Sequence, residues 1–181
     1  DAAITLTAQR VAPLVGGGCR TLAPLQFSGI RTAFPASDLV GWTVCHSETY
    51  NLSSTPLATV TTNCSGTHLM LACRPVGSST ITLAAYAPRA DVLFNTGNGA
   101  TSVHTANGAD WYYSTTWSWG FVRQGDTLNR FSCDVDTSGA NTERLCWHTG
   151  GGNLNGGYRC GTTMGLNGST AWERLVYQAN L

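Results

Sequence analysis

Seven cysteines are distributed along a chain of 181 residues in which only 11% of the residues are charged. Reduced cytosolic proteins seldom keep so many cysteines unless they bind metal, so this number indicates an oxidising compartment and a disulfide-linked fold. Cys19 stands apart near the start and is the first candidate for an unpaired thiol or a link to another chain. The six expected disulfide residues lie in the body of the chain: Cys45, Cys64, Cys73, Cys133, Cys146 and Cys160.

The spacing of these cysteines does not determine which of them pair. Our working assignment joins Cys45 to Cys64 or Cys73, and joins Cys160 to Cys133 or Cys146. Zinc is a weaker explanation than disulfides, because the chain has no Cys-x-x-Cys spacing although Cys45 and Cys146 lie close to histidines in sequence.

The charge pattern excludes two classes of partner. The net charge is zero, and the ten basic residues are all arginines spread from Arg10 to Arg174, so no basic patch for nucleic acid is expected. Apolar runs such as residues 69–73 are far shorter than the ~20 residues that cross a bilayer. We therefore expect a secreted or cell-surface protein with no membrane span.

Short alternating or β-branched runs separated by Gly, Asn, Pro and Ser predict a mainly β fold. The strand-like runs cover residues 41–45, 57–62, 69–73, 80–86, 91–94, 118–122 and 170–179. The best helix candidate is short and lies around Ser53 to Thr61, and Asn95 to Asn107 reads as a loop. The expected architecture is a compact, disulfide-linked β-sandwich-like domain with long Gly/Asn-rich loops and little helix.

The domain boundary is expected near residue 25. Residues 1–25 read as a strand or connector that includes the flexible run Gly16 to Gly18, and they are a candidate for self-association or for contact with a neighbouring domain. Residues 26–181 read as one β-rich extracellular domain.

An acidic stretch after Cys133 resembles the opening of a calcium loop, in which oxygen ligands alternate along the chain. The closing Glu of such a loop is replaced by Leu145, so other side chains would have to complete the site. The candidate metal ligands are Asp134, Asp136, Ser138, Asn141 and Glu143. The alternative is an Asx-rich turn that is capped by its own backbone and binds no metal.

Aromatic and amide side chains are the candidates for ligand binding. Rings can form a platform on which a sugar stacks, although packing in the core is the competing explanation for each of them. The candidates are Trp111 and Trp117 in the aromatic passage after residue 110, and Trp147, His148, Asn153, Asn155 and Tyr158 near the C-terminal cysteines.

No catalytic motif is recognisable, so no catalytic residue is assigned and a binding protein is expected in preference to an enzyme. A serine nucleophile elbow, a zincin His-Glu pair, a P-loop and a Rossmann fingerprint are all absent from the sequence. The four histidines are interpreted as surface or structural residues. Paired carboxylates of a glycan hydrolase have no sequence signature, so that activity stays open as a third alternative.

Several motifs carry a resemblance to known proteins: Gly41-Trp-x-x-Cys-His-Ser, Arg144-Leu-Cys-Trp-His-Thr, Asn155-Gly-Gly-Tyr-Arg-Cys-Gly and Leu166-Asn-x-Ser-Thr-x-Trp-Glu-Arg. They resemble an uncharacterised cysteine-rich domain of large exported bacterial proteins, from about Phe27 to the end. That resemblance implies an exported location and a modular role.

A second, local resemblance covers about twenty-five residues. Asp134-x-Asp136, then Cys146 and Asn153-Leu-Asn-Gly-Gly-Tyr, resemble the C-terminal part of the fibrinogen-like lectins. This resemblance implies calcium and an acetylated-sugar pocket beside Trp147, His148 and Tyr158.

Three functions follow from these patterns. The first is a secreted or cell-surface binding or adhesion module that recognises glycan or surface polysaccharide, with assistance from Ca²⁺. A neutral charge, abundant Asn and Asp, and surplus Trp and Tyr suit such a site. The second is a structural module of a surface fibre or large exported protein without a small-ligand site. The third is the glycan hydrolase.

Overall fold

The computed structural model describes residues 23–181, and most of the alternating apolar runs form strands. In chain order the strands are β1 (Ile30–Pro35), β2 (Thr43–Thr49), β3 (Thr55–Pro56), β4 (His68–Pro75), β5 (Thr80–Pro88), β6 (His104–Ala106), β7 (Ala109–Tyr113), β8 (Ser118–Arg123), β9 (Arg130–Phe131), β10 (Cys133–Asp134), β11 (Leu145–Gly150), β12 (Asn153–Cys160), β13 (Thr163–Met164) and β14 (Trp172–Ala179). Helices α1 (Leu57–Asn63) and α2 (Arg89–Val92) are short, and three single 3-10 turns occupy Ala36–Asp38, Asn141–Glu143 and Leu166–Gly168.

Two antiparallel sheets face each other. Sheet 1 has five strands in the order β1-β5-β4-β14-β2. Sheet 2 has seven strands, in the order β13-β12-β11-β8-β7-β6 with β3 paired to β12. Strands β9 and β10 form a separate two-stranded ribbon. The expectation of a mainly β, sandwich-like fold with little helix is confirmed.

The core lies between the sheets because alternate side chains of each strand point inward. Sheet 1 contributes residues such as Leu71 and Val176, and sheet 2 contributes large rings. The rings of Trp119 and Trp147 pack edge to face with centroids 5.6 Å apart. The indole N–H of Trp119 donates to the carbonyl of Val92 at 3.1 Å, so this buried polar group is satisfied.

The outer face of sheet 1 is also buried. Met70, Ala72 and Leu175 are 0–1% exposed there, beneath Leu39 and Trp42. These two residues belong to the connection from β1 to β2, which are the opposite edge strands of sheet 1. The connection therefore crosses the sheet and shields its second face from water.

The outer face of sheet 2 is partly covered by the segment from residue 124 to 143. Leu128 and Cys133 of this segment pack against Tyr112, Val122 and Cys146 of the sheet. This segment contains the acidic stretch that the sequence singled out, so that stretch lies against a sheet face.

Three disulfides join the six cysteines of the body: Cys45–Cys64, Cys73–Cys160 and Cys133–Cys146. The prediction of disulfides is confirmed, and the first pair is one of the alternatives expected. Pairing of Cys160 with Cys133 or Cys146 is wrong. Cys160 lies at the end of β12 on the inner face and reaches across to Cys73 of β4, whereas Cys133 and Cys146 lie on the outer side of sheet 2.

Disulfides are typical of proteins outside the reducing cytosol, so the three pairs are compatible with an extracellular location. None of the helices formed by residues 23–181 has the length and apolar character needed to cross a membrane.

Other local predictions need correction. Residues 57–62 form α1 and residues 89–92 form α2, so the strand predictions at 57–62 and 91–94 are wrong. Both segments are short apolar runs that periodicity cannot assign, and in each a proline at the N-cap precedes the helix. The helix predicted from Ser53 begins later, at Leu57. The predicted loop of residues 95–107 contains strand β6. Cys19 and residues 1–22 of the predicted connector lie outside the described residues.

The disulfide between the sheets is expected to stabilise the fold more than the one on the outer face. Cys73–Cys160 closes a loop with a sequence separation of 87, and Cys133–Cys146 one of 13. When each cysteine pair is replaced by alanines, chain entropy predicts that the free energy of unfolding falls by about 4.6 kcal/mol for Cys73–Cys160 and by about 3 kcal/mol for Cys133–Cys146. Urea unfolding of the two double variants measures both losses, and an equal or reversed order would contradict this expectation.

An ion pair between β2 and β14 lies largely out of water. The guanidinium of Arg174 donates to the carboxylate of Glu48, with Nε 2.8 Å from Oε1. Burial raises the pKa of Glu48, but hydrogen bonds from His46 and Thr55 and the charge of Arg174 outweigh it and lower that pKa from 4.5 to about 2. The Glu48 carboxylate is therefore held in its charged form.

This ion pair predicts a pH dependence of stability. Because the folded-state pKa of Glu48 is lowered, its contribution is present above pH 4.5 and is lost as the pH falls towards 2. Glu48→Gln should lower the free energy of unfolding by about 2 kcal/mol at pH 7. It should also make that free energy less dependent on pH between 4.5 and 2. Urea unfolding at pH 7, 4.5 and 3 provides the test, with Asp38→Gln on an exposed ion pair as the control. An unchanged profile in Glu48→Gln would contradict the assignment.

Candidate functional site

The ribbon of β9 and β10 ends in a sharp tip. Phe131 pairs with Cys133, so Ser132 alone connects the two strands, with a φ of 66°. This conformation is uncommon for a residue other than glycine and requires support from its surroundings. Phe131, beside it, is 85% exposed, an unusual exposure for a large apolar side chain.

Hydrogen bonds of Ser132 support this tip. Its hydroxyl donates to the carbonyl of Trp117 at 3.0 Å and lies 2.9 Å from Nδ1 of His148. Because the single hydroxyl proton goes to the carbonyl, the hydroxyl accepts from Nδ1–H of His148. In a neutral imidazole this leaves Nε2 of His148 as a hydrogen-bond acceptor.

The ring of Tyr158 lies beside His148, with centroids 5.5 Å apart. Strand β12 bulges at Tyr158, because Arg159 pairs with Cys146 whereas Gly157 pairs with Trp147. A β-bulge changes the direction in which the side chain at that position, here Tyr158, leaves the strand. Burial lowers the pKa of His148 from its ordinary 6.5, so the ring favours its neutral form.

Arg130 lies beneath the tip and holds the neighbouring loops. Its guanidinium donates to the carbonyls of Gly97 at 3.0 Å and Gly99 at 2.7 Å, and it lies 5.4 Å from the ring of Trp117. Burial lowers the pKa of Arg130, and the neighbouring Tyr112 and Asp134 oppose that effect. The side chain thus anchors Trp117 from below by a cation–π contact.

We name the patch formed by Trp117, Phe131, Ser132, His148 and Tyr158 the aromatic surface. Three of these residues, Trp117, His148 and Tyr158, were predicted as ligand-binding from the sequence. Phe131 and Ser132 were missed, since a single phenylalanine between polar residues carries no periodic signal. The one indication available was that Phe131 lies in a run too short and too polar to be a core strand.

Four other predicted ligand residues do not belong to this surface. Trp111 and Trp147 are 1% and 0% exposed in the core, so they cannot present a ring face to a ligand, and their assignment is corrected. The amide of Asn155 donates to the carbonyl of Gly150 at 3.1 Å and accepts from the backbone N–H of Ser54 at 3.2 Å. Asn153 donates to the turn carbonyl of Gly151 at 3.3 Å.

The acidic stretch packs against two arginines. Asp134 is fully buried, and its Oδ2 accepts from Arg144 Nη1 at 2.8 Å and from Arg159 Nη1 at 3.4 Å. Asn141 accepts from the same Arg159 guanidinium. Asp134 thus joins the covering segment to the two arginines that flank the Cys146 end of sheet 2.

Asp136 and Ser138 form a local turn. Asp136 accepts hydrogen bonds from the hydroxyl of Ser138 at 2.6 Å and from that of Thr127 at 2.7 Å, and these bonds lower its pKa. Glu143 lies 4.0 Å from Arg123. Within residues 23–181, no group of three or more His, Cys, Asp or Glu side chains is arranged to hold a metal ion. Calcium binding by the predicted ligands stays a prediction.

Comparison with known proteins adds no relative. No family model, curated protein or solved structure matches this chain. The two resemblances therefore stay predictions, and function is argued from the geometry of the site.

The titration of His148 checks the packing of the aromatic surface. Because its folded-state pKa is lowered, neutral His148 contributes stability that is present above pH 6.5 and is lost as the pH falls through the folded-state pKa. An NMR titration of the imidazole should give a midpoint below 6.5. Tyr158→Ala exposes the ring and should move the midpoint up towards 6.5, whereas an unmoved midpoint would show that Tyr158 does not shield the ring.

Proposed function

We propose that this protein is a secreted or cell-surface binding module that recognises glycan through the aromatic surface. The observation that carries the proposal is the position of Phe131, which is 85% exposed on a tip with a positive φ at Ser132, where the Ser132 hydroxyl bonds the carbonyl of Trp117 and the imidazole of His148. Backbone strain and an exposed apolar ring are both typical of binding sites. The exposed ring of Phe131 and the partly exposed rings of Trp117, His148 and Tyr158 are the stacking surfaces of the proposed site.

The chemistry of the surface suits a neutral polyhydroxyl ligand. Trp117 and Phe131 supply apolar ring area, while His148 Nε2 accepts and the Tyr158 hydroxyl donates or accepts. Residues around the patch add hydroxyls and amides, such as Thr116 and Asn98, which hydrogen-bond to each other at 3.0 Å. A chain with no net charge is also suited to an uncharged ligand.

Rigidity supports the same proposal. Arg130 holds loop 97–99, Ser132 links the tip to His148, and the Cys133–Cys146 disulfide ties the ribbon to β11. A site held in its binding geometry loses little conformational entropy when a ligand docks. Calcium assistance is part of the proposal, and its place is the Asp136 turn that follows β10.

A glycan array tests the proposal with Phe131→Ala, which removes an exposed ring and leaves the core untouched. Binding should fall at least tenfold, as expected when a central aromatic anchor is truncated. Val76→Ala is the matched control, because Val76 is an exposed apolar residue in the β4–β5 turn. The same array is repeated in EDTA, and a loss of binding there would support calcium.

Two outcomes would oppose the proposal. Absence of binding to any sugar by the folded wild-type protein would reject the glycan function. An equal loss of glycan binding in Phe131→Ala and Val76→Ala would show that the binding site is not the aromatic surface.

A protein contact is the second candidate, and the exposure of Phe131 favours it, since exposed apolar side chains often mark protein interfaces. In that case the chain is a structural module of a larger surface assembly. Concentration-dependent self-association that Phe131→Ala abolishes, together with a blank glycan array, would support this function over the first.

A further inference from the structure

A cavity of about 670 Å³ opens at the other end of the sandwich. Its walls include residues from the ends of both sheets, among them His68 and Tyr86 of sheet 1 and His104 of sheet 2. Asn107 precedes β7 and Trp117 precedes the antiparallel β8, so the cavity and the aromatic surface lie at opposite ends of this strand pair. The volume lies within the range of small-ligand sites.

A carboxylate and an imidazole meet in the wall of this cavity. Nε2 of His104 lies 2.7 Å from Oδ1 of Asp91, and the ring of His104 stacks on Phe94 with centroids 4.2 Å apart. A carboxylate only accepts hydrogen bonds, so Nε2 carries the proton. This bond uses one oxygen of Asp91 and orients the other, Oδ2, which is available to a ligand.

The remaining polar groups of the wall include both acceptors and donors. Both amide hydrogens of Asn107 are used, by the carbonyls of Phe27 at 3.0 Å and Tyr86 at 2.9 Å, so its Oδ1 is the atom left for a ligand. Nδ1 of His68 lies 3.0 Å from the hydroxyl of Thr67, which leaves Nε2. The amide of Gln26 can accept or donate, and the Tyr86 hydroxyl, which accepts from the N–H of Phe27 at 3.2 Å, can donate.

Within residues 23–181, no arginine lines the cavity beside Asp91. Arg89 is close in sequence, but its guanidinium donates to the carbonyls of Cys64 at 3.0 Å and Thr61 at 2.9 Å. Among the described lining residues Asp91 is the one with a carboxylate side chain, and its neighbours supply both hydrogen-bond acceptors and donors. A ligand with a positively charged group for Asp91, and with hydroxyls that both donate and accept, complements this wall.

We propose that this cavity binds a small ligand with a primary ammonium group beside hydroxyl groups, of which an amino sugar is the simplest. The ammonium group pairs with Asp91 Oδ2, one hydroxyl donates to Asn107 Oδ1, and another forms a hydrogen bond with His68 Nε2. This site is separate from the aromatic surface and does not depend on the function proposed for it.

Three sugars that differ at one position test the proposal: glucosamine, N-acetylglucosamine and glucose. Each is titrated at pH 7 into isotopically labelled protein, and the side-chain amide signals of Asn107 and the ring signals of Phe131 are followed by NMR. Glucosamine should shift the Asn107 signals and leave Phe131 unchanged. The other two sugars, which lack the ammonium charge, should bind at least about fivefold more weakly.

Asp91→Asn keeps the size and the hydrogen bond to His104 but removes the charge. Its glucosamine affinity should fall at least about fivefold, to the level of glucose. Asp38→Asn, an exposed residue paired with Arg31, is the charge-matched control and should bind as the wild type does. Equal affinity for all three sugars, or no shift at Asn107 with glucosamine, would overturn the proposal. Phe131→Ala should leave glucosamine binding intact. Failure of the cavity proposal can therefore be told apart from failure of the function proposed for the aromatic surface.

Discussion

Among residues 23–181 four guanidinium groups are buried and hold loops through hydrogen bonds: those of Arg130, Arg144, Arg159 and Arg174. Arginine stays charged when it leaves water, so each group must find acceptors, and backbone carbonyls, carboxylates, the amide of Asn141 and the hydroxyl of Ser118 supply them. A planar fork with five donors can hold several acceptors at once, which a lysine ammonium cannot do in fixed geometry. The chain has no lysine, and four of its ten arginines form hydrogen bonds from buried positions.

The sandwich was predictable because strand periodicity is a local property. Residues 80–86 and 170–179 alternate or are β-branched, and they form β5 and β14. The secondary structure of short apolar runs depends on tertiary packing and was not predictable. Residues 89–92 are helical, although the sequence beginning at Asp91 reads as a strand. The partner of Cys160 could not be predicted either, because it depends on which face of β12 points at sheet 1.

The aromatic surface was predictable only in part. Trp117, His148 and Tyr158 stand out by residue type, but residue type does not reveal that Trp147 points inward while its neighbour His148 points outward. That alternation depends on the register of β11 between β8 and β12, which is a long-range property. Asp134 illustrates the same limit, since arginines ten and twenty-five residues further along the chain surround its carboxylate.

The last strand, β14, lies between β4 and β2 and is hydrogen-bonded along both of its edges. A pulling force applied to the chain beyond Ala179 would act along the axis of this strand. The two ladders would then bear the load in parallel, and many hydrogen bonds would have to break together before β14 slid out. A strand in this position resists traction in a way that an edge strand, peeled away one bond at a time, does not. Release of β14 from the sheet therefore requires both ladders to break.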